Sequence, residues 1–124
     1  MDKPKTVVLG VTGGIACYKA VELVRLLVKA DHRVQVIMSR GAMEFVTALT
    51  FQTLSGHPVA TEIFNLTQES EIGHINLADS ADLLVIAPAT ANIIGKIANG
   101  IADDLLTTVI MATQAPVLIA PAMN

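Results

Sequence analysis

The chain has 124 residues, of which 52% are hydrophobic, 15% charged and 3% aromatic, and its formal net charge is −3 at pH 7. That length holds one domain with a sizeable core, and an acidic balance without any basic stretch argues against a nucleic-acid partner. No apolar run reaches membrane-spanning length and the start from Met1 to Lys5 lacks the apolar core of a signal peptide, so no membrane partner is expected and the cytoplasm is the expected compartment. A single cysteine, Cys17, excludes an internal disulfide and any multi-cysteine metal site, and no metal is expected. The aliphatic bias gives more apolar surface than a small monomer easily hides, which predicts self-association.

The first element is an apolar, β-branched run from Val7 to Val11, which reads as a buried strand, followed by Thr12, the pair Gly13-Gly14, and a helix starting near Ile15. Adjacent glycines let a backbone turn sharply and approach a ligand with no Cβ in the way. The helix that follows points its unpaired N–H groups and positive dipole end at the same place, so the turn suits an anion. Gly10-Val11-Thr12-Gly13-Gly14 matches neither the dinucleotide fingerprint G-x-G-x-x-G nor the P-loop. A dinucleotide site also wants an acidic residue at the end of the second strand, where this chain has Ser39-Arg40. A phosphate monoester fits better than NAD; the alternatives are NADP, with Arg40 on its ribose phosphate, or a glycine turn that holds no ligand.

From Ile15 to about Ala30, the spacing of Lys19, Glu22, Arg25 and Lys29 predicts a helix with one polar stripe and an otherwise buried surface. Arg33 to Met38 is the second strand. Gly41 to Leu54 reads as helical in two pieces, ended by Ser55-Gly56-His57-Pro58. Val59 to Ser70 is ambiguous. Asp82 to Ala87, bounded by Pro88, has the continuous apolar pattern of a strand buried on both faces. Thr90 to Ala98 and Asp103 to Ala112 read as helices, and Pro116 to Ala120 as the last strand.

Four apolar strands separated by helices predict a doubly wound parallel α/β sheet, Rossmann-like, spanning residues 1–124 as one domain. Ligands in such sheets bind beyond the carboxyl ends of the strands. That rule collects Thr12 to Ala16, Ser39-Arg40, Pro88 to Asn92 and Pro121 to Asn124. Thr90 is equally suited to capping a helix and to holding a ligand, because both use the same groups.

Five segments, Gly10 to Lys19, Gly73-His74-Ile75, Ala87 to Asn92, Gly95 to Leu106 and Pro121 to Asn124, follow one another in order along nearly the whole length of the chain. Together they resemble the flavin-containing cysteine decarboxylases, above all the phosphopantothenoylcysteine decarboxylases that form the flavoprotein half of a bifunctional bacterial coenzyme A biosynthesis protein. Lantibiotic peptide decarboxylases and flavin prenyltransferases share the fold and come next. The resemblance implies FMN, held by Thr12, Gly13, Gly14, Ile15, Ala16, Ser39, Arg40, Pro88, Ala89, Thr90, Asn92, Asp104 and Leu105. It assigns His74 to catalysis, and Asn124 with Met123 to gripping the carboxylate of phosphopantothenoylcysteine. It also implies a homo-oligomer, a trimer or an assembly of trimers. Without the resemblance, His74 reads as an ordinary structural or surface histidine, as His32 and His57 do.

The chemistry implied explains why a decarboxylase needs a flavin. Direct loss of CO₂ from an N-acylated cysteine leaves a carbanion with nowhere to place its charge. Oxidation of the CH₂–SH carbon to a thioaldehyde puts a C=S group β to the carboxylate, where it acts as an electron sink, and CO₂ leaves to give an enethiolate. His74 would act as acid and base, histidine being the side-chain type suited to moving a proton near neutral pH, and Asn124 would orient the carboxylate. In the family the last motif continues into a segment whose cysteine protonates the enethiolate. Here the sequence stops at Asn124 and Cys17 aligns with the phosphate motif. The expectation is therefore a fragment, or a short protein limited to the oxidative half-reaction or to holding flavin.

Overall fold

The structure, a computed structural model, describes residues 3–61 and 76–123. Strands β1 (Thr6–Val11), β2 (Arg33–Met38), β3 (Leu83–Ala89) and β4 (Val117–Pro121) form a parallel sheet in the order β2-β1-β3-β4. Between them lie α1 (Cys17–Lys29), a 3₁₀ turn at Ala42–Glu44, α2 (Ala48–Ser55), α3 (Ala91–Ala98) and α4 (Leu105–Ala112). The doubly wound parallel sheet expected from the alternation of strands and helices is what the chain forms. Ala60, in the stretch left ambiguous by its sequence, makes a parallel bridge to Ile37 on the outer side of β2.

Side chains alternate across the sheet, so the apolar strands supply two cores. On one face Val7, Leu9, Val11, Val34, Val36 and Met38 pack against Cys17, Ala20 and Val24 of α1 and Phe51 of α2. On the other, Val8, Ile37, Leu84 and Ile86 pack against Ile93 of α3 and Leu105, Leu106 and Val109 of α4. Each fully buried aliphatic side chain is worth roughly 1.5–3 kcal/mol, which makes the two central strands, β1 and β3, the most firmly held. Their carboxyl ends therefore give the site a rigid floor.

Three expectations need correction. The buried part of α1 is narrower than its polar stripe suggests: Tyr18, Leu26 and Val28 are exposed although apolar, at 58%, 56% and 36%. The helix begins at Cys17 rather than Ile15, because residues 12–16 are spent on the turn. Strand β3 does not stop at Pro88; it runs through to Ala89, with a register shift between Ile86 and Ala89 opposite β4. Proline is tolerated in a strand where the ladder is already interrupted, so the residue that signals a stop sits inside the strand.

Candidate functional site

The site is built from the loops leaving β1, β2 and β3, held together by backbone bonds. Thr12 is the centre. Its side chain is buried, its hydroxyl donates to the Pro88 carbonyl, and the same oxygen accepts from the Thr90 amide at 3.1 Å. One hydroxyl thus satisfies two backbone groups of a neighbouring loop. The Ser39 amide donates to the Val11 carbonyl at 3.0 Å, and the Ala122 amide to the Ala89 carbonyl at 3.1 Å, which brings the ends of all four strands to one edge.

The two glycines do different jobs. A Cβ on Gly13 would lie 2.7–2.9 Å from three backbone atoms of Gly41, so Gly13 is where the first turn and the loop after β2 press together. A Cβ on Gly14 would meet only Thr90 Cγ2, at 3.9 Å, and otherwise project into open space. The amides of Gly14, Ile15 and Ala16 donate to no acceptor among the described residues, while the Gly14 carbonyl already accepts from Cys17 at 3.0 Å. Unpaired N–H groups at a helix start, over a surface cleared of side chains, suit a phosphate. The amides of Ala91 and Asn92, in the first turn of α3, have no acceptor among the described residues either. Thr90 is a helix cap, its hydroxyl accepting from the Ile93 amide at 3.4 Å.

Beside this cradle is a cavity of about 370 Å³, lined on one side by Ser39, Arg40 and Met43 and on the other by Lys96, Asp103, Asp104, Leu105 and Leu106. That volume lies within the roughly 300–1,000 Å³ usual for small-molecule sites. Asp104 caps α4: its Oδ1 accepts from the Thr107 amide at 2.8 Å, and the Thr107 hydroxyl accepts in return from the Asp104 amide at 3.1 Å. This reciprocal pair fixes the cavity wall.

The structure therefore brings Thr12, Gly13, Gly14, Ala16, Ser39, Pro88, Ala89 and Thr90 to one sheet edge, and Arg40, Asp104 and Leu105 to the adjoining cavity. Ile15 and Asn92 are exposed, Ile15 at 71%, and Met123 is 60% exposed just past β4. His74 and Asn124 lie outside the described residues. Sequence reasoning passed over Gly41, whose contact with Gly13 depends on folding, and Lys96, which reaches the cavity from the second turn of α3. Among the described residues no group of histidine, cysteine and carboxylate side chains could hold a metal ion, and no helix is long and apolar enough to cross a membrane.

A parallel sheet with an anion cradle at its first turn and a cavity at its carboxyl edge defines a nucleotide- or flavin-type site. The chain belongs to the Flavoprotein family, which it matches over residues 1–124. It is 58% identical over 120 residues to the coenzyme A biosynthesis bifunctional protein CoaBC of Bacillus subtilis and 52% identical to that of Vibrio cholerae, in each case over 97% of this chain and 30% of the relative. The chain thus spans less than a third of the curated relatives it matches. Among solved structures it resembles the FMN-dependent cysteine decarboxylase TvaF from thioviridamide biosynthesis, with a TM-score of 0.89 and 29% identity over 98% of this chain and 75% of the other. It also resembles a PPC decarboxylase variant complexed with pantothenoylaminoethenethiol, with a TM-score of 0.77 and 30% identity over 98% and 69%.

Proposed function

We propose that residues 1–124 form one FMN-binding domain, the flavoprotein part of an enzyme that decarboxylates phosphopantothenoylcysteine in coenzyme A biosynthesis. The observation that carries this reading is the open surface over Gly14, ringed by amides of Gly14, Ile15 and Ala16 that have no acceptor among the described residues. A flavin mononucleotide offers the terminal phosphate such a cradle suits, and no acidic residue ends β2 to take the ribose of a dinucleotide. The relatives add the reaction: CoaBC at 58% identity and two decarboxylases of the same fold.

In this reading Thr12 and Gly13 to Ala16 hold the phosphate, Ser39, Pro88, Ala89, Thr90 and Asn92 border the rest of the cofactor, and Arg40, Asp104 and Leu105 wall the cavity. FMN, when bound, supplies the two-electron oxidation that makes the substrate's thiol carbon a thioaldehyde. His74 holds or moves the proton at the reacting sulfur, and Asn124, with Met123 beside it, fixes the substrate carboxylate. The exposed apolar groups Ile15, Tyr18, Phe45 and Leu49 favour a homo-oligomer, a trimer or an assembly of trimers, working in the cytoplasm.

The test is the absorbance spectrum of the purified chain, the mass of the cofactor it releases, and CO₂ release from phosphopantothenoylcysteine. A flavin spectrum with the mass of FMN is expected; a nicotinamide, or no cofactor uptake from added FMN, refutes the cofactor assignment. The resemblance to the lantibiotic peptide decarboxylases, together with the likeness to the cysteine decarboxylase TvaF, favours a second substrate class, a peptidyl cysteine. Faster turnover of such a peptide would replace phosphopantothenoylcysteine with it. Sedimentation as a stable monomer at micromolar concentration would remove the oligomer.

A further inference from the structure

The cavity that Ser39 and Arg40 help to line carries a charge arrangement that the reaction above does not use. Lys96 Nζ lies 3.0 Å from Asp103 Oδ1 and 3.9 Å from Asp104 Oδ2. The lysine side chain is only 23% exposed, whereas those of Asp103 and Asp104 are 56% and 40% exposed. Residues seven and eight apart meet because the chain doubles back after α3: Gly100 adopts a φ of +67° and the Ile101 amide donates to the Lys96 carbonyl at 3.0 Å. Asp104 divides its two oxygens. Oδ1 is committed to capping α4, which leaves Oδ2 as the one turned toward Lys96.

All three side chains line the same cavity. Two neighbouring carboxylates oppose an anion seated in the adjoining cradle, by an amount that solvent around these part-exposed groups damps and salt damps further. A lysine between them cancels part of that field and holds the Asp103–Asp104 segment against α3. Lys96 is therefore engaged with protein carboxylates, an arrangement that lets it act on a ligand without touching it.

We propose that Lys96 is a positioning residue of the cofactor site, balancing Asp103 and Asp104 so that an anionic cofactor can occupy the cavity. This rests on the FMN reading given above. It differs from two plainer roles, direct contact of the ammonium with the ligand and a mere pin between α3 and α4, in what the second half of the pair does. With Lys96 removed, Asp103 and Asp104 lose the ammonium group paired with them, and neutralising one of them restores the balance. Neither of the plainer roles is repaired by removing the partner.

The experiment is a titration of the cofactor-free full chain with FMN, followed by quenching of flavin fluorescence, at low and at moderate salt. Lys96→Met should weaken binding about tenfold at low salt and less as salt rises, since screening shortens the reach of the uncompensated charge. Lys96→Met combined with Asp103→Asn should return to within about twofold of the unmodified chain, and Lys96→Arg should bind like it. Asp103→Asn alone should tighten binding about twofold, and this variant keeps the test alive if Lys96→Met does not fold. Weaker binding by Asp103→Asn, or a double variant no better than Lys96→Met, overturns the proposal while leaving the FMN reading intact. An unmodified chain that binds no FMN overturns both.

Discussion

Replacing Gly13 and Gly14 separately tests the cradle, because the two positions fail for different reasons. A methyl group on Gly13 would lie inside the contact distance of three Gly41 backbone atoms, the nearest 2.7 Å away, and backbone cannot step aside as a side chain does. Overpacking of this kind costs about 1–3 kcal/mol, which for a domain of this size corresponds to a fall of roughly 4–12 °C in melting temperature. Gly14 has neither a positive φ nor a close neighbour, so Gly14→Val should leave the melting temperature of the cofactor-free chain within about 2 °C. Its side chain would instead fill the surface over which a phosphate must approach, and affinity for FMN should drop at least a hundredfold. Thermal melts of the cofactor-free proteins, paired with FMN titration, separate the two effects. The reasoning is refuted if Gly14→Val binds FMN like the unmodified chain, or if it loses as much stability as Gly13→Ala.

Thr12→Val keeps the shape of a buried side chain but leaves the Thr90 amide without its acceptor, so unfolding by urea should show a loss of about 1–3 kcal/mol, with weaker FMN binding alongside. Gly10→Ala should destabilise by about 1 kcal/mol because its Cβ would come within 2.5 Å of Leu106 Cδ1; adding Leu106→Val should recover most of that loss, and an additive double variant would show that the two do not touch. In a chain extended through the family's cysteine segment, His74→Asn should retain FMN while CO₂ release from phosphopantothenoylcysteine disappears, and unchanged release would remove His74 from the mechanism.

What the sequence reveals follows from what each feature depends on. The parallel sheet is legible because β1, β2 and β3 are apolar runs spaced by helices, and the edge at which ligands bind follows from topology. The cap at Thr90 is legible too, since capping depends on a neighbour three residues away. Contacts made by distant chain are not: nothing local to Gly13 announces Gly41, and the meeting of Lys96 with Asp103 depends on a turn at Gly100. The exposed side of α1 misleads for a related reason. Periodicity finds apolar residues such as Tyr18 and Leu26, but it does not say whether this chain's own core or another surface covers them. Pro88 misleads because a local rule, that proline ends a strand, gives way where the pairing register shifts.

The Thr12 hydroxyl has a bearing on how the protein can be altered or will breathe. Since it donates to the Pro88 carbonyl near the end of β3 and accepts from the Thr90 amide just beyond it, the turn after β1 and that segment form a single mechanical part. Transplanting either segment into a related scaffold without the other would break both bonds at once, so the two have to be moved together. For the same reason the Thr90 amide should exchange its hydrogen more slowly than an unbonded amide of a connecting segment. A segment already tied down in this way is one that a bound cofactor does not have to order first.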